Sequence, residues 1–344
     1  MKDISKRITM SSRVRLARNF ADMFFPGRMK TEQSLELLRR ARDAFFRSPG
    51  IDRDEYIYVD MQGLDTIDKM MLVEQRLVSP DLVVGGRPSA AILKRDETLS
   101  VMLNEEDHLR IQCVLPSDDI DAAYSACSRV ERVFDSRFEI AFDQDFGFLT
   151  SCPTNLGTGM RASFMLHLPA LSMTGHIKNI LEACGKIGVA VRGIYGENSE
   201  ASGSLYQFSN QGSLGRAEEE IIESIKGVRT QIVGHEAMLR EGLFKQGRTQ
   251  LEDRVCRALG TLRYARSLAS EECMRLWSDV RLGVDMGVIA DVDVGRLDRM
   301  ATKTQPAYIQ KTYGRMLNSE ERDVQRARIA REQLAPAAAP GTGE

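Results

Sequence analysis

The chain has 344 residues, of which 42% are hydrophobic and 28% charged, and its formal net charge at pH 7 is −2. This length predicts one large domain and a smaller one, and the balanced charge argues against general affinity for nucleic acid. The six cysteines form no Cys-x-x-Cys pair, which disfavours a zinc ribbon. The start of the chain is polar and basic, unlike a signal peptide, and no apolar run reaches membrane-spanning length. We therefore expect a cytoplasmic protein with reduced thiols that binds neither membrane nor nucleic acid.

Short strands and helices are predicted up to about residue 246. Helical spacing of apolar residues predicts helices over 31–46, with Thr31 as a cap, and over 118–138, 175–187 and 217–245. Strands are predicted over 56–60, 90–94, 99–104, 109–115, 161–168, 189–193 and 205–209. Neighbouring strands with short connections favour an antiparallel sheet flanked by helices, hence an α+β fold.

Beyond residue 246 the predicted elements are helical. Residues 251–300 are expected to be helical throughout, and 319–333 form a highly charged last helix. Residues 334–344 are mostly Ala, Pro and Gly, which predicts a disordered tail. The chain is therefore expected to divide into a catalytic domain (1–246), a smaller all-helical C-terminal domain (247–333) and that tail.

Two arginines near the start of the chain, Arg13 and Arg15, stand two positions apart. On a strand, alternate side chains face the same way, so both guanidinium groups could reach one anion with several charged oxygens. Taken alone, a solvated basic stretch explains such a pair better, because arginines are common on protein surfaces.

The segment Asn-Glu-Glu-Asp-His-Leu-Arg at 104–110 follows an apolar strand and places three acids in a row. Such a cluster is costly unless cations or a metal offset it. A solvated hairpin turn is the alternative, but the run ends in Arg110 and re-enters an apolar strand. Carboxylates that take a proton, placed beside arginines that hold anionic oxygens, are what a phosphoryl-transfer site requires.

A second segment, at 151–163, combines Cys152, a Gly-Thr-Gly turn and Arg161. Glycines let a backbone approach phosphate groups closely, although an ordinary turn into a strand is an equal explanation. A lone cysteine is most often a small core residue. Beside an arginine cluster the pKa of its thiol would fall, which would favour a functional thiolate.

The polar loop at 192–200 carries two glutamates and two glycines, which is typical of either a flexible flap or a plain surface loop. No Walker-type motif and no protein-kinase motif set occurs, so phosphates would have to be held by arginine side chains. His235-Glu236 does not begin a zinc-protease helix, because position 239 is Leu.

Taken together and in this order, these segments resemble the phosphagen (guanidino) kinase family over roughly residues 11–245. The remainder resembles one branch, the bacterial protein arginine kinases, which phosphorylate arginine side chains in proteins and mark them for an ATP-dependent protease. Arg-Asp-Val-Gln-Arg-Ala at 322–327 is similar to that branch's Arg-Asp-x-x-Arg-Ala phosphoarginine-binding motif. Arg-Gly-Ile-Tyr-Gly-Glu at 192–197 also fits, since the small-guanidine kinases carry an arginine in place of Tyr195.

The resemblance implies three catalytic residues. Glu106 would take the guanidinium proton, Glu200 would orient the second guanidinium nitrogen, and Cys152 would lie near the same group. It implies ATP as the phosphoryl donor, with Mg²⁺ held through the ATP phosphates and not by a protein metal site. Arg76 departs from the pattern, because the branch usually has a histidine there near the nucleotide.

The resemblance also implies residue sets for the nucleotide and for an allosteric phosphoarginine. The nucleotide-binding residues are Ser11, Ser12, Arg13, Val14, Arg15, Arg76, Arg110, Arg161, Ala162, Ser163, Phe164, Met165, Arg192, Gly193, Ile194, Tyr195, Gly196 and Glu197. The allosteric phosphoarginine-binding residues are Arg322, Asp323, Val324, Gln325, Arg326 and Ala327.

The implied function is ATP-dependent phosphorylation of arginine side chains exposed on protein substrates. An activator protein and an ATP-dependent protease would be partners, and the helical C-terminal part is a plausible surface for a homodimer. One alternative is a small-guanidine kinase. Such kinases have a helical N-terminal lid, for which a first motif at residue 11 leaves no room. Another alternative is a non-catalytic phosphoarginine reader, which would need no base such as Glu106.

Overall fold

The computed structural model describes residues 7–193, 196–197 and 202–335. Within these residues the chain forms eleven strands and twelve α-helices. The strands are β1 (Thr9–Arg18), β2 (Tyr56–Asp60), β3 (Ala90–Lys94), β4 (Leu99–Leu103), β5 (Leu109–Leu115), β6 (Phe142–Asp143), β7 (Gly147–Phe148), β8 (Met160–His167), β9 (Val189–Gly193), β10 (Gly196–Glu197) and β11 (Leu205–Asn210). The helices are α1 (Thr31–Phe46), α2 (Thr66–Glu74), α3 (Pro80–Val84), α4 (Ile120–Asp135), α5 (Pro169–Met173), α6 (Ile177–Lys186), α7 (Glu218–Gln246), α8 (Arg248–Tyr264), α9 (Ser270–Asp285), α10 (Val294–Lys303), α11 (Pro306–Tyr313) and α12 (Ser319–Leu334).

Nine of the strands form one sheet, in the order β10-β9-β11-β8-β1-β5-β4-β3-β2. Every neighbouring pair in it is antiparallel. Strands β6 and β7 form a separate small hairpin. The predicted α+β fold, an antiparallel sheet flanked by helices and followed by a helical region, is therefore confirmed.

One face of the sheet is apolar because successive side chains of a strand alternate between its two faces. Val14, Leu16, Ile111, Phe164 and Phe208 all point to this face and are at most 1% exposed. They form the main core with apolar side chains of α1, α4 and α7. This core fixes the register of the central strands, since a shift by one residue would turn the apolar side chains outward.

The opposite face is covered at its two ends by smaller apolar clusters. At one end Leu77 and Leu82 pack with Met102 of β4. At the other end Met165 of β8 and Leu205 of β11 pack with the C-terminal helices, around Trp277 of α9. The middle of this face, on β1, β5 and β8, carries polar and charged residues.

The region after residue 246 is helical, as predicted, but its helices differ from those expected. The stretch 251–300 consists of parts of α8, α9 and α10, and α9 ends just before Gly287, whose φ of +74° suits glycine. The Asp293 side chain accepts a hydrogen bond from the Arg296 N–H and so caps α10. Helix α11 was not predicted.

The predicted division at residue 246 stays a prediction. Helices α7 and α8 meet at Gly247, yet Met165 and Leu205 of the sheet belong to the same apolar cluster as the C-terminal helices. The prediction of Thr31 as a helix cap is wrong by one position, because Lys30 is the cap residue and its N–H donates to Gln33 Oε1 over 3.0 Å. Within the described ranges, no helix combines the length and apolarity needed to cross a membrane.

Candidate active site

Strand register brings four of the predicted arginines onto one face of the sheet. Arg15 of β1 lies directly opposite Arg161 of β8, and Ala17 of β1 lies opposite Arg110 of β5. Paired residues on neighbouring strands share a face, and so do residues two apart on one strand. Arg13, Arg15, Arg110 and Arg161 therefore all lie on the face opposite the main core. The predicted shared face of Arg13 and Arg15 agrees with this geometry.

Arg192 extends the row by one more step. It pairs with Gln207 of β11. Gln207 pairs in turn with Met165 of β8, and Met165 with Ser11 of β1. All four residues therefore lie on the arginine face. Gln207 Nε2 donates to Ser163 Oγ over 3.1 Å. Arg161 donates from Nε and Nη2 to Ser209 Oγ over 3.1 and 2.9 Å. The Ser209 hydroxyl thus orients Arg161 on this face of the sheet.

The cations of this row repel one another. Burial, followed by the nearby charges of Arg110, Arg76 and Arg161, lowers the pKa of Arg13 to about 9. Burial, followed by Arg161 and Arg192, lowers the pKa of Arg110 to about 10. Both groups remain cationic at pH 7, so several positive charges are concentrated in a partly desolvated place. A polyphosphate bound there would relieve the repulsion, which is the electrostatic requirement of an ATP site.

Glu105 is the buried partner of Arg110. Its carboxylate forms an ion pair with Arg110 and also accepts a hydrogen bond from Ser79 Oγ. The Glu106 N–H donates to the second Glu105 oxygen over 2.9 Å. Burial raises the pKa of Glu105. The first acid of the cluster therefore orients an arginine and is not available to substrate.

Asp107 and His108 hold the 104–108 loop in place. Asp107 Oδ1 accepts hydrogen bonds from Asn19 Nδ2 over 2.6 Å and from the Ser151 N–H over 2.7 Å, which joins the two sequence motifs in space. His108 Nδ1 accepts from the Phe20 N–H over 3.0 Å, so Nε2 carries the proton and donates to the Phe24 carbonyl over 2.9 Å. Burial lowers the pKa of His108 to about 4, which keeps it neutral.

Glu106 differs from the acids on either side of it because it is exposed, whereas Glu105 and Asp107 are buried. Its pKa is raised by partial burial, by Asp107 and by Glu105, and the nearby Cys152 thiol acts against this rise. Cys152 Sγ also lies 3.0 Å from Thr154 Oγ1. The structure thus brings two of the predicted catalytic residues together, and a carboxylate with a raised pKa is a suitable proton acceptor.

The two glycines of the 157–159 turn allow neighbouring backbone segments to approach closely. Gly157 and Gly159 have φ of +107° and +61°. A Cβ at Gly159 would lie 2.6 Å from the Ala17 carbonyl oxygen, and one at Gly157 would lie 2.6 Å from that of Ser213. These contacts favour the ordinary-turn interpretation of this segment over a phosphate-approach role.

Arg76 ends helix α2 in a left-handed conformation, with φ of +62°. Its N–H donates to the Val73 carbonyl over 2.9 Å, and the Leu77 N–H donates to the Leu72 carbonyl over 3.0 Å. This is the Schellman arrangement, in which glycine is the usual residue. An arginine there costs about 1 kcal/mol, and its charge lies close enough to Arg13 to lower the pKa of that residue. Arg76 therefore belongs spatially to the arginine face.

The other predicted nucleotide-binding residues fall into three groups. Ser11, Ser163 and Met165 share the arginine face by register, and Gly193 lies in β9 beside Arg192. The side chains of the alternate residues belong to the core face: Ser12, Val14, Ala162 and Phe164. Of Gly196 and Glu197 the structure describes the strand pairing alone, and Ile194, Tyr195 and Glu200 lie outside the described residues. Their nucleotide-binding and catalytic roles stay predictions.

The predicted phosphoarginine motif lies on α12. Arg326 is 1% exposed, and it donates from Nε to the Thr304 carbonyl over 2.9 Å and from Nη1 to the Leu268 carbonyl over 2.8 Å. It also forms an ion pair with Asp323. Arg322 Nη1 donates to the Leu317 carbonyl over 2.6 Å. Both guanidinium groups thus hold backbone carbonyls of their own chain.

The other three residues of the motif differ in exposure. Val324 is 48% exposed and Ala327 is buried. Gln325 Oε1 is buried and accepts no hydrogen bond from the residues that the structure describes. The phosphoarginine pocket stays a prediction.

Several residues of the site were missed by sequence reasoning. Gln112 donates from Nε2 to the Arg76 carbonyl over 2.7 Å and accepts from Arg13. Its position two residues after Arg110 on a predicted strand could have revealed it. Ser79, Asn19 and Ser209 gave no such signal, because their partners are distant in sequence.

Comparison with known proteins agrees with this geometry. The family model for the ATP:guanido phosphotransferase C-terminal catalytic domain matches residues 37–239, and that for the protein-arginine kinase McsB C-terminal domain matches residues 248–343. A duplicated taurocyamine kinase from Schistosoma mansoni, solved with transition-state analogue components, superposes with a TM-score of 0.61 and 23% identity over 75% of this chain and 39% of that one. A lombricine kinase superposes with a TM-score of 0.60 and 21% identity over 69% and 68%. The sheet and its helices therefore have the guanidino-kinase fold.

Relatives named as protein-arginine kinases match nearly the whole chain. The protein-arginine kinase of Caldanaerobacter subterraneus is 47% identical over 97% of this chain and 99% of that protein. The protein-arginine kinase of Moorella thermoacetica is 44% identical over 95% and 94%. The chain belongs to the protein-arginine kinases, a branch of the ATP:guanido phosphotransferase family.

Proposed function

We propose that the protein transfers the γ-phosphoryl group of ATP to the guanidinium group of an arginine side chain in a protein substrate. The observation that carries this proposal is the exposed Glu106 carboxylate, with its raised pKa, in the loop that leads into β5 and its Arg110. A phosphate-binding site alone would be compatible with many kinds of ATP-binding protein. The adjacent base suits an acceptor that must lose a proton.

A free guanidinium has a pKa above about 12 and no lone pair to spare. As one of its nitrogens attacks the γ-phosphorus, Glu106 accepts a proton from it, an N–P bond forms and the bond to the β,γ-bridging oxygen breaks, which leaves ADP. Glu200 would orient a second guanidinium nitrogen so that the attacking one lies in line.

The arginines of the face would hold the phosphates of ATP. Arg13, Arg15, Arg110, Arg161 and Arg192 can spread positive charge over the equatorial oxygens as negative charge develops there. Mg²⁺, bound through the phosphate oxygens, would supply further neutralisation. Arg76 would contact the nucleotide beside Arg13.

The acceptor is proposed to be a protein-borne arginine because relatives that match nearly the full chain are protein-arginine kinases. A small-guanidine kinase is the alternative, since the related folds include taurocyamine and lombricine kinases. The test is to incubate the enzyme and ATP with a loosely folded, arginine-containing protein such as casein, and separately with free arginine.

We expect faster phosphorylation of the protein, with acid-labile label that mass spectrometry maps to Arg. Similar rates on free arginine would contradict the protein-borne acceptor and support a small-guanidine kinase activity. Label on Ser, Thr or Tyr would refute guanidino-group transfer.

We further propose the finer features that the family resemblance implies. They are a cytoplasmic location, a homodimer formed through the C-terminal helices, an activator protein, delivery of the products to an ATP-dependent protease, and a regulatory phosphoarginine pocket at residues 322–327. Light scattering of the purified chain tests the homodimer, and co-purification with tagged enzyme tests the two partners.

A further inference from the structure

The N-terminus of α11 is capped by a residue of α2, which lies far earlier in the sequence. The Glu74 carboxylate accepts hydrogen bonds from the Ala307 N–H over 2.7 Å and from the Tyr308 N–H over 3.0 Å. The first N–H groups of a helix have no partner within it, and the Gln305 side chain at the cap position supplies none. Glu74 therefore fills this role across 233 sequence positions.

Further interactions of α2 and the C-terminal helices surround this cap. Burial raises the pKa of Glu74, while its two backbone hydrogen bonds and the nearby Arg326 charge act against that rise. Arg326 also holds the Thr304 carbonyl, just ahead of α11. Beside them, Lys311 of α11 forms an ion pair with Asp68 of α2. Helix α2 is thus held along its length by α11.

Glu74 is also close in sequence to Arg76, a residue of the candidate nucleotide site. Glu74 is the last residue of α2, and Arg76 follows in the left-handed conformation that ends the helix. The Arg76 carbonyl accepts from Gln112, and Gln112 accepts in turn from Arg13. A strained residue keeps its conformation when the structure around it holds it there. Here the structure around it is α2, anchored by Glu74.

We propose that Glu74 is a positioning residue for ATP binding: by capping α11 it anchors the end of α2 and so holds Arg76 and Gln112 against Arg13. The proposal rests on the proposed function in taking ATP as the ligand. It makes the docking of the C-terminal helices and the affinity for ATP interdependent. Because such coupling is reciprocal, bound ATP also strengthens the docking.

The first experiment measures the dissociation constant of ATP for Glu74→Ala and Glu74→Gln. Asp68→Asn is the matched control, because it breaks the neighbouring contact between the same two helices without touching the end of α2. We expect Glu74→Ala to raise the Kd about fivefold or more and the control to change it by less than about twofold. The KM for ATP should rise in parallel, while kcat at saturating ATP stays near that of the wild type.

The second experiment uses the wild type and follows hydrogen exchange at the Ala307 and Tyr308 amides. We expect exchange to slow when ATP is added. Exchange unchanged by ATP would overturn the coupling even if Glu74→Ala failed to fold.

A wild-type Kd in Glu74→Ala would overturn the proposal, and so would an equal loss of affinity in Asp68→Asn. Neither outcome bears on the acceptor. Conversely, an enzyme that binds ATP but labels no arginine would refute the proposed function alone.

Discussion

Neighbouring acids in the 104–108 loop have different surroundings and therefore different tasks. Glu105 neutralises Arg110, Asp107 accepts two N–H groups, and Glu106 is left exposed beside Cys152. Removal of the Glu106 charge should therefore affect the acceptor and not the nucleotide.

We predict that Glu106→Gln lowers phosphoarginine formation by about 10²- to 10⁴-fold, the usual loss for a general base. ATP binding, measured by titration, should stay near that of the wild type. Glu182→Gln, at an exposed position on α6, is the control. A Glu106→Gln variant with more than about a tenth of normal turnover would remove the base assignment.

The same residue predicts a pH dependence. Partial burial, Asp107 and Glu105 raise the pKa of Glu106 above its ordinary value of 4.5. The base must be ionised to accept a proton, so kcat/KM should fall as pH drops through this raised pKa. We expect the acid limb of the pH–rate profile to lie above pH 4.5 and to be absent from the residual activity of Glu106→Gln.

Arg76 allows a test that separates backbone strain from binding. Arg76→Gly places the preferred residue in a left-handed position, so the free energy of unfolding should change by less than about 1 kcal/mol. Loss of the guanidinium should weaken ATP binding about tenfold or more, as for a charged hydrogen bond. Glu97→Gly is the matched control, because Glu97 also has φ of +62° and is exposed. Unchanged ATP affinity in Arg76→Gly would exclude a nucleotide contact.

Local patterns in the sequence were sufficient for some features of this site and insufficient for others. The shared face of Arg13 and Arg15 follows from strand alternation alone. The placement of Arg161 opposite Arg15 depends on pairing between strands far apart in the chain, which no local pattern encodes. The same holds for the left-handed Arg76, whose carbonyl accepts from the distant Gln112, and for Glu74, whose partner helix was not predicted.

Helix α12 carries the predicted regulatory motif at residues 322–327. Asp323 pairs with Arg326, and its carbonyl accepts from the Leu268 N–H over 3.1 Å. The Asp323 side chain is therefore the part of the motif that can be removed while Arg326 keeps its two carbonyl partners.

We predict that added phosphoarginine changes the phosphorylation rate of the wild type and leaves that of Asp323→Ala unchanged. Glu332→Ala, which removes an exposed ion pair with Arg328 on the same helix, should respond as the wild type does. The rate is measured with a protein substrate at fixed ATP. An equal response of Asp323→Ala and the wild type would contradict a phosphoarginine pocket at residues 322–327.

A buried ionic network joins α5, α7 and the C-terminal helices. Glu236 accepts from the Ala170 and Leu171 N–H groups over 3.0 and 2.9 Å and pairs with Arg240 over 2.7 Å. Arg240 also pairs with Asp285 of α9 over 3.2 Å. Glu236, Arg240 and Asp285 all have fully buried side chains.

We predict that Glu236→Ala lowers the free energy of unfolding by about 3–5 kcal/mol, because it leaves Arg240 buried without its nearest partner. Glu241→Ala removes an exposed pair with Lys245 on the same helix and should cost at most about 0.5 kcal/mol. Denaturant titration measures both. If Glu236→Ala lowered the free energy of unfolding by less than about 1 kcal/mol, the network would not be important for stability.

The central position of β1 has a consequence for synthesis. β1 is made before both of its neighbours, β5 and β8, and Arg13 precedes its contact Gln112 by 99 positions. At about 5–20 residues per second on the ribosome, β1 waits roughly 5–20 s for its first partner. Charged side chains protect an unpaired strand from joining other chains, and we expect Arg13 and Arg15 to protect nascent β1 in this way. Ribosome-bound chains that end before β5 should accordingly leave β1 open to protease.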